Sequence, residues 1–171
     1  MPKKERMTVV IKTPAANNNC VNLLAMIKIK VLFLCIHNSA RSQMAEAYLN
    51  KFGEDKFTVE SAGLEAGTLN PLAVEVMQED GIDISQNKTN DVFDYFKEGR
   101  LYHYVITVCD EASAARCPIF PGVHKKINWG FEDPSSLSGT HAEKLAQTRK
   151  VRDKIKMAVR QFIDEVSSVR I

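Results

Sequence analysis

The stretch KVLFLCIHNSARSQMAEAYL occupies residues 30–49 of the 171-residue chain. Its apolar run Val31-Leu32-Phe33-Leu34 does not alternate with polar residues, which is the pattern of a strand buried on both faces. The run ends at Cys35. Five residues on come Arg41 and Ser42, and a helical pattern begins at once, with Ala45, Tyr48, Leu49 and Phe52 on one face. A strand that feeds a short loop and then a helix N-terminus gathers backbone amides and about half a positive charge at one point. A cysteine at the start of that loop adds a nucleophile, and an arginine at its end adds a two-pronged oxyanion clamp. Ile36, His37, Asn38, Ser39 and Ala40 supply the half-circle of amides between them, and Arg41 and Ser42 close it. Asn38 is a residue type that tolerates the left-handed backbone such a tight loop needs. The arrangement points to covalent chemistry on a tetrahedral oxyanion such as phosphate or arsenate.

Outward from this stretch, strands and helices alternate. Ile29–Leu34 and Phe57–Ser61 read as strands, the second stopped by Gly63. Asn70-Pro71 is an N-cap with a first-turn proline, and Ala73, Val76 and Met77 make the stripe of a helix closed by Gly81. Thr89 or Asn90 opens another helix, carrying Val92, Phe93 and Phe96 and ending at Gly99. Leu101–Val108 and Lys126–Trp129 complete the strands. Thr140-His141-Ala142-Glu143 is a capping box, and Leu145, Val151, Ile155, Val159, Phe162 and Val166 recur as the core stripe of a long last helix. This order predicts an α/β protein with three α/β/α layers and a four-stranded parallel sheet, its ligand at the carboxyl ends of the strands.

Composition sets the outer bounds. With 44% hydrophobic residues the chain can bury one ordinary core, so residues 26–171 are expected to form a single domain. Residues 1–25, with Pro2, Pro14 and Asn17-Asn18-Asn19, look like an extension outside it, apart from a short strand candidate at Val9-Val10-Ile11. The formal net charge is only +2, and the surplus lies in the first 25 residues. Nothing here favours nucleic acid or a membrane surface as partner. Lys28 and Lys30 interrupt the apolar stretch around Val21–Leu34, so it does not read as a signal or spanning segment. The expectation is a cytoplasmic monomer with reduced thiols.

Cysteines stand at 20, 35, 109 and 117. Cys109 follows the third predicted strand, and Cys117 comes after a small, polar stretch suited to a mobile loop. Two thiols close together near a reactive third suggest a disulfide relay. A metal pair competes with that reading but lacks partners at zinc spacing, since His103 and His124 do not match it. Further on, Trp129-Gly130-Phe131-Glu132-Asp133-Pro134 holds a carboxylate before a proline, which restricts Asp133 to extended backbone.

Taken together, Cys35–Ser42 with Gln43-Met44-Ala45-Glu46-Ala47, Val59–Gly63, Gly81–Ser85, Val105–Pro118, Trp129–Pro134 and Arg152-Asp153 resemble the low-molecular-weight protein tyrosine phosphatase family, specifically its arsenate reductase branch. The resemblance spans about residues 26–165 and implies that family's flavodoxin-like fold. It implies Cys35 as nucleophile, Arg41 as oxyanion clamp and Asp133 as general acid. It also implies a relay in which Cys109 forms a disulfide with Cys35, Cys117 then takes over Cys109, and thioredoxin resets the pair, with glutaredoxin or mycothiol as alternative donors. The spacing from Cys109 to Cys117 is one residue longer than is usual in the branch. No tightly bound cofactor is implied, though some members of the branch hold a potassium ion, at positions matched by Asn38, Glu46, Ser61 and Asp91. Two other functions fit part of the pattern: a phosphatase using only Cys35, Arg41 and Asp133, and a non-catalytic oxyanion-binding or redox-sensing protein.

Overall fold

The computed structural model describes residues 27–168. The expected extension at 1–25, with Val9-Val10-Ile11 and Cys20, lies outside the described residues. Within them, β1 (Ile29–Cys35), β2 (Phe57–Gly63), β3 (Tyr104–Thr107) and β4 (Lys125–Asn128) form one parallel sheet in the order β2-β1-β3-β4. The helices are α1 (Arg41–Phe52), α2 (Pro71–Glu79), α3 (Val92–Lys97), α4 (Glu111–Ala114) and α5 (His141–Ser168).

The unbroken apolar run of β1 is explained by cover on both faces. Val31, Phe33 and Cys35 join Met44, Tyr48 and Leu49 of α1, Val76 and Met77 of α2, and Ile155, Val159 and Phe162 of α5 in one core. Leu32 and Leu34 point the other way, to Val92 and Tyr95 of α3, Val105 of β3, Cys117 and Phe120. Both faces are therefore buried, and the three expected layers follow. After β2 the chain crosses back over β1 to reach β3. The strand order reverses at that point, so the carboxyl ends of β1 and β3 border the crevice where such sheets bind ligands.

Helix ends follow their local chemistry. The Asn70 side chain accepts the Leu72 N–H at 2.9 Å with Pro71 in the first turn, and Gly81 takes φ +69° beyond the end. At α5, Thr140 N–H donates to Glu143 Oε2 at 2.7 Å and Glu143 N–H returns to Thr140 Oγ1 at 3.3 Å, completing the capping box. Arg152, 8% exposed, ties α5 to α2 by donating to the Val76 carbonyl at 2.9 Å and to Glu79 at 3.0 Å.

The structure departs from expectation in places. The helix expected from Thr89 or Asn90 is capped by Asp91, whose Oδ1 accepts the Phe93 N–H at 2.7 Å. On that helix Val92 and Tyr95 are buried while Phe93 and Phe96 are 41% and 45% exposed, because one and a half turns can turn only one edge to the sheet. The third strand begins at Tyr104, three residues later than read, since His103 spends its main-chain groups on Lys30 and His124. The stretch between Cys109 and Cys117 contains α4, nucleated by Asp110, whose carboxylate accepts both the N–H and the hydroxyl of Ser113 at 2.9 Å. Four residues are too few for a periodic signal.

Candidate active site

Cys35 is the last residue of β1 and is 2% exposed. Residues 36–40 turn around its sulfur. Asn38 adopts φ +52° and is fully buried, so its backbone amide faces back and donates to Cys35 Sγ at 3.0 Å. Ser42 Oγ lies 2.9 Å from the same sulfur. Ser42 already accepts an N–H from Asn38 Nδ2 at 2.8 Å, so its own proton is left for the sulfur. Two donors therefore point at the one sulfur. Ala40 provides no side-chain cap to α1, so the first-turn amides stay with the loop.

The loop carbonyls are held outward. Those of Cys35, Ile36, His37 and Ser39 accept the N–H groups of Leu64, Glu65, Gly67 and Asn70 at 2.9–3.1 Å, and that of Ala40 accepts Met44 N–H within α1. With the oxygens turned away, the amides converge inward. This outer brace depends on Gly63: a Cβ there would stand 2.7 Å from Asn38 N and 2.8 Å from the His37 carbonyl carbon. The sequence reading took Gly63 only as a strand stop and did not identify the brace, because backbone donors leave no residue-type signature. Gln43 and Asn90 also escaped it. Gln43, 1% exposed on α1, donates to the Lys88 carbonyl at 2.9 Å and accepts from Asn87, while Asn90 N–H donates to Asn38 Oδ1 at 2.8 Å. A buried glutamine on an apolar helix face was the signal available.

Arg41 reaches across to the loop after β4. Its Nη2 lies 2.6 Å from Asp133 Oδ2 and its Nη1 donates to the Phe131 carbonyl at 3.1 Å. Asp133 has the extended backbone that Pro134 demands, and its second oxygen accepts Ser135 N–H at 2.9 Å. Nucleophile, arginine and aspartate therefore share one site. Glu132 is exposed.

Cys109 and Cys117 are also free thiols, 0% and 6% exposed. Cys109 follows β3 and Cys117 follows α4, which folds the intervening stretch back on itself. Burial pushes the Cys109 thiol up to about 11, and the nearby Cys117 and Cys35 add to the rise while Arg41 opposes it. Burial likewise raises Cys117, with Lys126 opposing. The three thiols are thus close enough to affect one another's charge.

Three of the four residues matched to a cation site are linked to one another. Asn38 turns its Nδ2 to Ser61 at 2.8 Å, and its Oδ1 is taken by Asn90 and Gln43. Ser61 donates its hydroxyl to Glu46, whose carboxyl is raised by burial, and Asp91 caps α3. Among the described residues no group of three or more His, Cys, Asp or Glu could hold a metal ion.

Comparison with known proteins agrees with this geometry. Residues 30–170 match the family described as low molecular weight phosphotyrosine protein phosphatase. An arsenate reductase of Bacillus licheniformis is 44% identical over 142 residues, covering 81% of this chain and 98% of the relative. One of Bacillus subtilis is 43% identical over 136 residues, covering 78% and 94%. A solved arsenate reductase in the phosphate binding state is 32% identical with a TM-score of 0.64, covering 80% of this chain and 98% of that one.

Proposed function

This chain belongs to the low molecular weight phosphotyrosine protein phosphatase family, and from that membership and its three thiols we infer that it is an arsenate reductase. The carrying observation is that Cys109 and Cys117 are buried free thiols on the segment that leaves β3 beside the end of β1, where Val108 N–H donates to the Leu34 carbonyl at 2.8 Å. A phosphatase of this family needs only Cys35, Arg41 and Asp133.

The reaction runs in three exchanges. The Cys35 thiolate attacks arsenic, and Asp133 protonates the oxygen that leaves as water. Arg41 and the loop amides carry the oxyanion charge. To deliver a proton Asp133 must first hold one, so its contact with Arg41 loosens as the guanidinium turns to the oxyanion. The Cys109 thiolate then attacks Cys35 Sγ; the electron pair of the sulfur–arsenic bond goes to arsenic, arsenite departs, and a Cys35–Cys109 disulfide remains. Cys117 attacks Cys109, freeing Cys35 and leaving a Cys109–Cys117 disulfide. Thioredoxin, supplying two electrons and two protons, reduces it. A reducing compartment such as the cytoplasm keeps the thiols ready, and one polypeptide carries every residue used, so a monomer suffices.

The test is arsenate-dependent NADPH oxidation with thioredoxin and its reductase. Wild type should turn over repeatedly, whereas Cys117→Ser should release about one equivalent of arsenite, stall as the Cys35–Cys109 disulfide and sustain no NADPH oxidation. Wild type that is silent on arsenate but hydrolyses an aryl phosphate briskly would make this a phosphatase; silence on both would favour a binding or sensing role.

A further inference from the structure

Lys126 lies on β4 opposite Val105 of β3, and Val105 belongs to the core face that holds Cys117. Its stem lines a small cavity of about 70 Å³ with Val105, Pro118, Ile119, Phe120 and Val123. Its ammonium donates to the carbonyl of Ala114, the last residue of α4, at 3.3 Å. That carbonyl also accepts the Cys117 N–H at 3.3 Å. One oxygen therefore fastens both the backbone of Cys117 and a positive charge beside it. The other charged or titratable groups facing this thiol are Arg116 in its own segment, Cys109 at the start of the same loop and Cys35 across the crevice.

We propose that Lys126 is a positioning residue for the resolving thiol: by bonding the Ala114 carbonyl it holds the turn after α4 and keeps a cation beside the Cys117 sulfur as that sulfur becomes a thiolate. The proposal rests on the reading that Cys117 resolves the Cys35–Cys109 disulfide. In that step the Cys117 thiolate bonds to Cys109 Sγ and Cys35 leaves as a thiolate, with no net oxidation. A cation on the attacking side stabilises the nucleophile before the exchange. The shift it produces in Cys117 opposes that of burial.

The reduced protein is mixed with one equivalent of arsenate without reductant, quenched by alkylation at intervals, and its disulfides located by peptide mass spectrometry. In Lys126→Met the Cys35–Cys109 species should form at the wild-type rate, while its conversion to Cys109–Cys117 slows about three- to tenfold and its pH profile moves to higher pH. Lys126→Arg should restore both. Conversion at the wild-type rate with an unmoved profile, or equal slowing of both steps with an unmoved profile, overturns the proposal. A second measurement needs no arsenate: thiolate absorbance in Cys35→Ser/Cys109→Ser, with the Cys117→Ser form subtracted. The Cys117 midpoint should rise on Lys126→Met, and a midpoint that stays put also overturns it. If wild type never forms Cys109–Cys117 while this midpoint moves, the relay reading fails and the hold of Lys126 on the thiol stands.

Discussion

Cys109 is the most concealed of the three thiols, and its surroundings set how firmly it holds its proton. Cys35 and Cys117 oppose its ionisation, as burial does, and Arg41 assists it. Burial is the largest of these causes, so the Cys109 thiol holds its proton mainly because it is out of water. The same shift has a consequence for stability. The folded chain keeps the Cys109 proton to about pH 11, whereas an unfolded thiol loses it near 9. The contribution is whole below pH 9 and disappears as pH rises through 11, and a shift of this size corresponds to about 2–3 kcal/mol. Urea unfolding of the reduced protein at pH 8 to 11 should show that decline, and Cys109→Ala should flatten most of it. An equally steep decline in the variant would mean that Cys109 is not the group responsible.

At the scale of elements, the decisive join is between the nucleophile loop and residues 63–70. Gly63→Ala would drive a methyl group into Asn38 N, the amide that donates to the Cys35 sulfur. A displacement of that kind should lower kcat/KM for arsenate by about 10²-fold, with a smaller fall in melting temperature, measured by steady-state kinetics and thermal melts. Gly81→Ala, an open position with φ +69°, is the control: it should cost stability and spare activity. The two joined pieces differ in how far the sequence revealed them. Strand, Cys35, Asn38, Arg41 and helix were readable because each obeys a local rule of period, backbone conformation or charge. Asp133 was readable because a proline fixes the residue before it. The brace was not, since its donors are main-chain amides that almost any side chain could accompany. The exposure of Phe93 and Phe96 was missed for a related reason: in a helix of six residues, tertiary packing and not periodicity decides which face is covered. The fold order and both nucleophile-loop ends were legible; the backbone contacts that hold the loop carbonyls outward were legible only in three dimensions.

Across the whole molecule, the segment just beyond Cys117 presents an apolar surface on one side. Ile119, two residues beyond Cys117, is 87% exposed, and Phe96 packs edge-on against Phe120 while remaining 45% exposed. Lys126 lines the same small cavity as Ile119 and Phe120. On the proposed relay, this is the surface a dithiol protein would meet in reducing a Cys109–Cys117 disulfide. Ile119→Glu should raise the KM for thioredoxin about five- to tenfold while leaving the single round of arsenite release without reductant unchanged; an unaltered KM would move the contact elsewhere. The outward-turned carbonyls of the nucleophile loop, finally, bear on how the molecule tells two lookalike elements apart. A cradle made of braced main chain has one size and one charge preference, and phosphate meets both as well as arsenate does. Discrimination is therefore a matter of what can leave, not of what can enter. Phosphorus cannot take the electron pair of a sulfur bond and depart, so phosphate only occupies the seat and goes out as it came. The scaffold filters by shape, and on the proposed relay the two further thiols filter by element.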